Sequence, residues 1–133
     1  MTGEQEASQM TLEQIEGDVW GDPPPDPTAL VARVHRLRQV PIASLDADAL
    51  RVLVAQQIGL PTVMPLVLAH LEADPMLEAN FYPGDLLVAV LKLPAAYWSA
   101  HPAQRPIIER LADGITEADA ELRADIEAFR AAP

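Results

Sequence analysis

The chain has no cysteine. That removes disulfide cross-links and thiolate chemistry, and it fits a reducing compartment. Positive charge is scarce: 9 Lys and Arg stand against 20 Asp and Glu, for a formal net charge of −11. Neutralising nucleic-acid phosphates takes clustered cations, so direct nucleic-acid binding is not expected. No apolar run reaches about 18 residues, so no membrane-spanning helix is predicted. The first ten residues are polar and acidic, unlike a secretory leader, and the expected location is the cytoplasm. Also missing are a Gly-rich phosphate loop, a serine elbow and a metal-binding helix pattern. His35, His70 and His101 fall in separate predicted elements. His70-Leu71-Glu72 has the form of a deaminase His-x-Glu, but a chain without cysteine cannot complete that zinc site. No catalytic residue, cofactor or metal ligand is therefore predicted, and the chain is not expected to be an enzyme.

The sequence does carry a globular composition. Half of its 133 residues are apolar and 22% are charged, and a single domain of this size buries roughly 70% of its unfolded surface. The 13 prolines fall mostly where helical periods start or stop. The expected fold is all-α, a compact single-domain bundle of about six to eight helices with a proline-rich acidic N-terminal arm. Residues 1–10 are expected to be a disordered tail and 11–133 the folded domain, with a charged helix within 114–133.

The helical signals run in order. Thr11-Leu12-Glu13-Gln14 is a capping box, and a helix of about six residues should follow it and end at Gly17. Asp26-Pro27 reads as a cap and first helical position for a helix carrying Leu30, Val31, Val34 and Leu37 at helical spacing. Asp46 caps a third helix with Leu50, Leu53, Val54, Gln57 and Ile58 on one stripe. Gly59 is suited to stopping it, and Pro61 to starting the next, which should reach Ala73. At least one of Gln56 and Gln57 is expected to be buried at this junction. Val63, Val67, His70 and Leu71 are core candidates, and Pro65 should be tolerated in the first turn. Phe81 to Asp85 is a turn, with Asp85 at or near a helix start. Leu86, Leu87, Val90, Leu91 and Leu93 predict the central buried helix. A short turn follows with Tyr97 and Trp98, then a helix with Ile107, Ile108 and Leu111 ending at Gly114. A capping-type start at Thr116-Glu117-Ala118-Asp119 leads into a last helix with Ala118, Leu122, Ile126 and Phe129 on one face.

Between the first two helices lies Asp18-Val19-Trp20-Gly21-Asp22-Pro23-Pro24-Pro25-Asp26, whose prolines exclude helix and favour polyproline II. Residues 1–26 hold seven acids and no Lys or Arg. Glu13, Glu16, Asp18, Asp22 and Asp26 lack the regular spacing of a calcium loop, which favours a solvated acidic face over a cation site. Trp20 reads as the anchor that pins the arm to the body.

Three ordered segments, Leu12 to Pro24, Gln56 to Pro61 and Phe81 to Leu87, together resemble the CdiI-type immunity proteins of contact-dependent growth inhibition systems, of the actinobacterial type. The resemblance spans roughly residues 11–112 and includes Leu71 to Pro75 and the Tyr97-Trp98 pair. It implies a small cytoplasmic protein that binds the toxin domain of a cognate CdiA-type effector by stoichiometric occlusion. Such toxins are often nucleases with basic clefts, and an acidic inhibitor would suit them. The expected partner face is the arm, with Glu13, Glu16, Asp18, Trp20, Asp22 and Asp26, followed by Glu78 and Asp85. The alternative is an acidic helical protein-interaction or regulatory module unrelated to toxins.

Overall fold

The computed structural model describes residues 9–25 and 28–132, and among these it contains eight α-helices and no strand. They are α1 (Leu12–Glu16), α2 (Ala29–Leu37), α3 (Ala47–Ala55), α4 (Leu60–Ala73), α5 (Asp85–Leu91), α6 (Ala95–Ala100), α7 (Arg105–Asp113) and α8 (Ala120–Ala131). A 3₁₀ turn at Ile42–Ser44 joins α2 to α3. The all-α expectation is met.

α5 is the centre. Leu86, Leu87 and Val90 are fully buried, as its nearly unbroken apolar sequence requires. It packs against α3, α4 and α8, and α3 packs in turn against α4. Leu53, Val54, Val63, Val67, Leu71, Ile108, Leu122, Ile126 and Phe129 complete one contiguous core with Tyr97 and Trp98. α2 packs on α3, at the edge of this core.

The local start and stop chemistry follows the sequence closely. Thr11 Oγ1 accepts from the Gln14 amide and the Gln14 side chain accepts from the Thr11 amide, a complete capping box. Gly17 ends α1 in the left-handed conformation. Asp46 and Asp119 each accept from the amide three residues on.

Several expectations need correction. Thr28, not Asp26, caps α2, accepting from the Val31 amide; Asp26 and Pro27 lie outside the described residues, as do residues 1–8 of the expected tail. The last helix starts after Asp119, later than its capping-type signal. At the α3–α4 junction Gln57, not Gly59, takes the left-handed stop, at φ 56°. The Ile58 amide donates to the Leu53 carbonyl and the Gln57 amide to Val54, the paired bonds of a Schellman ending. Gly59, at φ 64°, instead opens α4. Its lack of a side chain has a second use, since a Cβ there would lie 2.9 Å from Leu12 Cδ2. Leu12 is fully buried, so this glycine is where α1 docks on the body. Gln56 and Gln57 are both exposed, against the expectation that one is buried. Their backbone amides are satisfied within the Schellman ending, so no side-chain amide is needed inside. His70 is exposed rather than core. Pro65 is the sixth residue of α4, beyond the first turn. It sits on an exposed side, where water can meet the carbonyl its missing N–H would have paired.

Candidate partner-binding surface

A buried cation clasps the arm to the body. Arg38, at the end of α2, is 1% exposed. Its guanidinium pairs with the Glu16 carboxylate and donates to the Asp18 carbonyl oxygen. Its carbon centre lies 4.2 Å from the Trp20 ring centroid, a cation–π contact. The Arg38 carbonyl accepts from the Glu13 amide at 3.1 Å. Glu16, on a segment with no base of its own, thus finds its counter-charge on a residue about twenty positions on.

Trp20 is fixed from other sides as well. Its indole N–H donates to Asp18 at 3.3 Å. The His35 ring meets it edge-on at 5.1 Å, and His35 Nδ1 reaches the Gly21 carbonyl at 3.3 Å. Yet Trp20 remains 40% exposed, and Val19 beside it 73%. On α2, Leu30 is 44% and Val31 36% exposed. Trp20, Leu30, Val31, Val34 and His35, with Gln56 and Ile58 from the α3–α4 junction, line a cavity of about 180 Å³. Three regions distant in sequence meet there.

The acids expected to face a partner divide. Asp22 is exposed, and Glu13 is half-buried, accepting from the Gln39 side chain at 3.4 Å. Glu16 and Asp18 are exposed but committed to the Arg38 and Trp20 contacts. Glu78 is exposed, and its backbone bridges to Pro83.

Asp85 has another role. It is 3% exposed and its carboxylate accepts from the amides of Ala79, Asn80 and Phe81 at 2.7, 3.0 and 2.9 Å. Burial pushes its pKa up, but these amides outweigh burial and hold it below the ordinary carboxylate value. It is a loop brace at the start of α5 and not a surface charge.

The loop it braces forms a second surface feature. Phe81 and Tyr82 are exposed, with the Arg51 guanidinium 4.5 Å over the Phe81 ring. Asp48 pairs with Arg51 at 2.7 Å and Arg33 at 2.9 Å, tying this loop's neighbour α3 to α2. Tyr82 shares a pocket with Glu117, Asp119, Glu121 and Asp125. Its hydroxyl pKa is raised, first by partial burial and then by Asp85, Asp125, Glu121 and Asp119. The negative field therefore extends to this end of α8.

A sequence model of the CDI immunity proteins matches residues 14–108. The chain belongs to this family. The familial segments singled out in the sequence lie almost wholly within the match. No curated protein and no solved structure matches the chain. In this immunity-family chain the matched stretch runs from α1 into α7, and so includes the arm, Arg38, the cavity and the Phe81–Tyr82 loop. α8 lies beyond the match, yet Leu122, Ile126 and Phe129 are buried against the body. The Arg105 guanidinium binds it further, donating to the carbonyls of Phe129 and Ala132 at its C-terminal end.

Reasoning from the sequence alone missed Arg38, His35, Leu30 and Val31 as parts of this surface. One signal was present for Arg38: residues 1–26 carry no Lys or Arg, and α2 carries the first arginines after them.

Proposed function

We propose that this chain binds and neutralises the toxin domain of a cognate contact-dependent growth inhibition effector by stoichiometric occlusion, through the face formed by the arm and α2. The observation that carries this reading is Trp20: a large aromatic held rigid by Arg38 and His35, yet left open beside Val19, Leu30 and Val31. A rigid aromatic anchor with a charged surround is the usual make-up of an interface hot spot. Rigidity matters because an anchor already in place loses little entropy on binding.

The acids around this anchor suit a basic partner. Asp22 and Glu13, within an overall charge of −11, would draw in a cationic cleft such as that of a nuclease and would lie where substrate phosphates lie. The inhibitor then needs no catalytic group, only coverage.

Co-expression with the toxin encoded beside this chain's gene tests the reading. The wild-type chain is expected to protect cells and to co-purify in a one-to-one complex. Trp20→Ala should weaken that complex by ten-fold or more, the size expected for a hot-spot aromatic. Continued killing with no complex would sink the proposal.

A further inference from the structure

We propose that the cavity beside Trp20 is a receptor for one apolar side chain, a leucine, isoleucine, methionine or phenylalanine, which the toxin domain presents from a surface rich in Lys and Arg. This deepens the toxin-binding reading and rests on it. Size is the first argument. At about 180 Å³ the cavity falls below the roughly 300 Å³ at which small-molecule sites begin, and it suits a single side chain.

The chemistry of the walls is the second. Leu30, Val31, Val34, Ile58 and Trp20 are apolar. A cation is a poor occupant, because Arg38 already stands against the Trp20 indole at 4.2 Å. The chain's net charge of −11 favours a partner whose surface around that side chain is basic. The same charge argues against a second copy of this chain, which would bring two like-charged surfaces together.

The third argument is that the walls are fixed in advance. Gln57 holds a left-handed backbone at φ 56°, a conformation that costs a non-glycine residue of order 1 kcal/mol. It lies between Gln56 and Ile58, both of which line the cavity. The paired bonds of the Schellman ending hold this stretch of backbone in place before any partner arrives.

The variant Val31→Asp tests the cavity. Val31 is the third residue of α2, where a carboxylate favours the helix terminus, so folding should be kept and an unchanged thermal melt checks it. The substitution adds negative charge, so association with a basic partner should hold steady or quicken. Loss of affinity then reports the cavity and not the field. Using the C-terminal domain of the protein encoded immediately upstream as probe, Kd is expected to rise roughly 30-fold, all in the dissociation rate. Leu30→Ala, which adds no charge, should move the same way by a smaller factor.

If the wild type binds that domain and both variants bind it equally well, the cavity proposal is overturned and the toxin reading stands. If the wild type does not bind it, the toxin reading fails for that pair, and a random peptide display selection on the full chain decides the cavity. Selected peptides should share one large apolar residue flanked by Lys or Arg and should lose binding to Val31→Asp. A consensus without the apolar residue, or one indifferent to the variant, overturns the proposal. So does a wild-type dimer in sedimentation that Val31→Asp dissolves, since the occupant is then a second copy.

Discussion

The arm and the α3–α5–α8 core are held by different forces. The core is a dry cluster in which Leu53, Val63, Leu87 and Ile108 have no exposed surface, and its cohesion is non-directional burial. The arm reaches the body through one buried leucine, Leu12 against Gly59, and one buried arginine whose partners lie on both α1 and the proline segment. Burial supplies stability wherever side chains fit, but a charge clasp specifies one geometry. That contrast suits the binding role proposed above. The core can make the fold while the arm, with its apolar groups left open, makes the surface.

The division can be broken from the core side first. Leu87→Ala removes a fully buried leucine from the central helix and is expected to cost about 3 kcal/mol of unfolding free energy. Urea denaturation measures this. Toxin affinity of the folded fraction should not change; if it falls in step with stability, core and binding face are not separable.

Asp85→Asn probes the brace of the Phe81–Tyr82 loop on the central helix, at a smaller cost of about 2 kcal/mol, because an amide oxygen cannot replace a carboxylate at three amides. The effect should depend on pH with a defined sign. The folded pKa of Asp85 is depressed, so its contribution is present above the unfolded value, ordinarily near 3.8, and is lost as pH falls through the folded one. The stability gap between wild type and variant should be full at pH 7 and shrink below about pH 4. A gap that stays constant into acid would show that the charge of Asp85 is not what braces the loop.

What could be read in advance followed sequence distance. The Thr11 box, the Asp46 cap and the apolar period of α5 involve residues three or four apart, and all are found. Arg38 could not be read as a clasp, because its partners Glu16 and Asp18 are twenty or more positions away and only the folded chain brings them together. Leu30 and Val31 show the limit of periodicity. Their spacing with Val34 is helical, but an apolar stripe carries no information on whether anything covers it. Gln57 was hidden for another reason: glycine two residues later is the better left-handed residue, and the chain uses it to open α4 and seat Leu12. Asp85 was visible as a helix-start acid, whereas its burial depends on three loop amides that no local pattern announces.

The smallest expected effect on global stability is the most informative about the arm. In Arg38→Met the methionine can fill the apolar part of the space, and Glu16, whose side chain is 32% exposed, can turn to water. The loss should therefore be about 1 kcal/mol, well under the 3–5 kcal/mol of breaking a wholly buried pair. The Leu12–Gly59 contact and the bond from the Glu13 amide to the residue-38 carbonyl do not need the guanidinium, so α1 should stay docked. Trp20 would lose the cation beneath it and the link from its neighbour Asp18. Its fluorescence should shift toward that of a solvated indole, and cleavage after Trp20 by chymotrypsin should quicken, while far-ultraviolet circular dichroism stays unchanged. Toxin affinity should fall by about ten-fold or more even though Arg38 itself is buried and cannot touch the partner. An Arg38→Met chain with displaced Trp20 fluorescence and undiminished affinity would show that the arm's rigidity is irrelevant to binding.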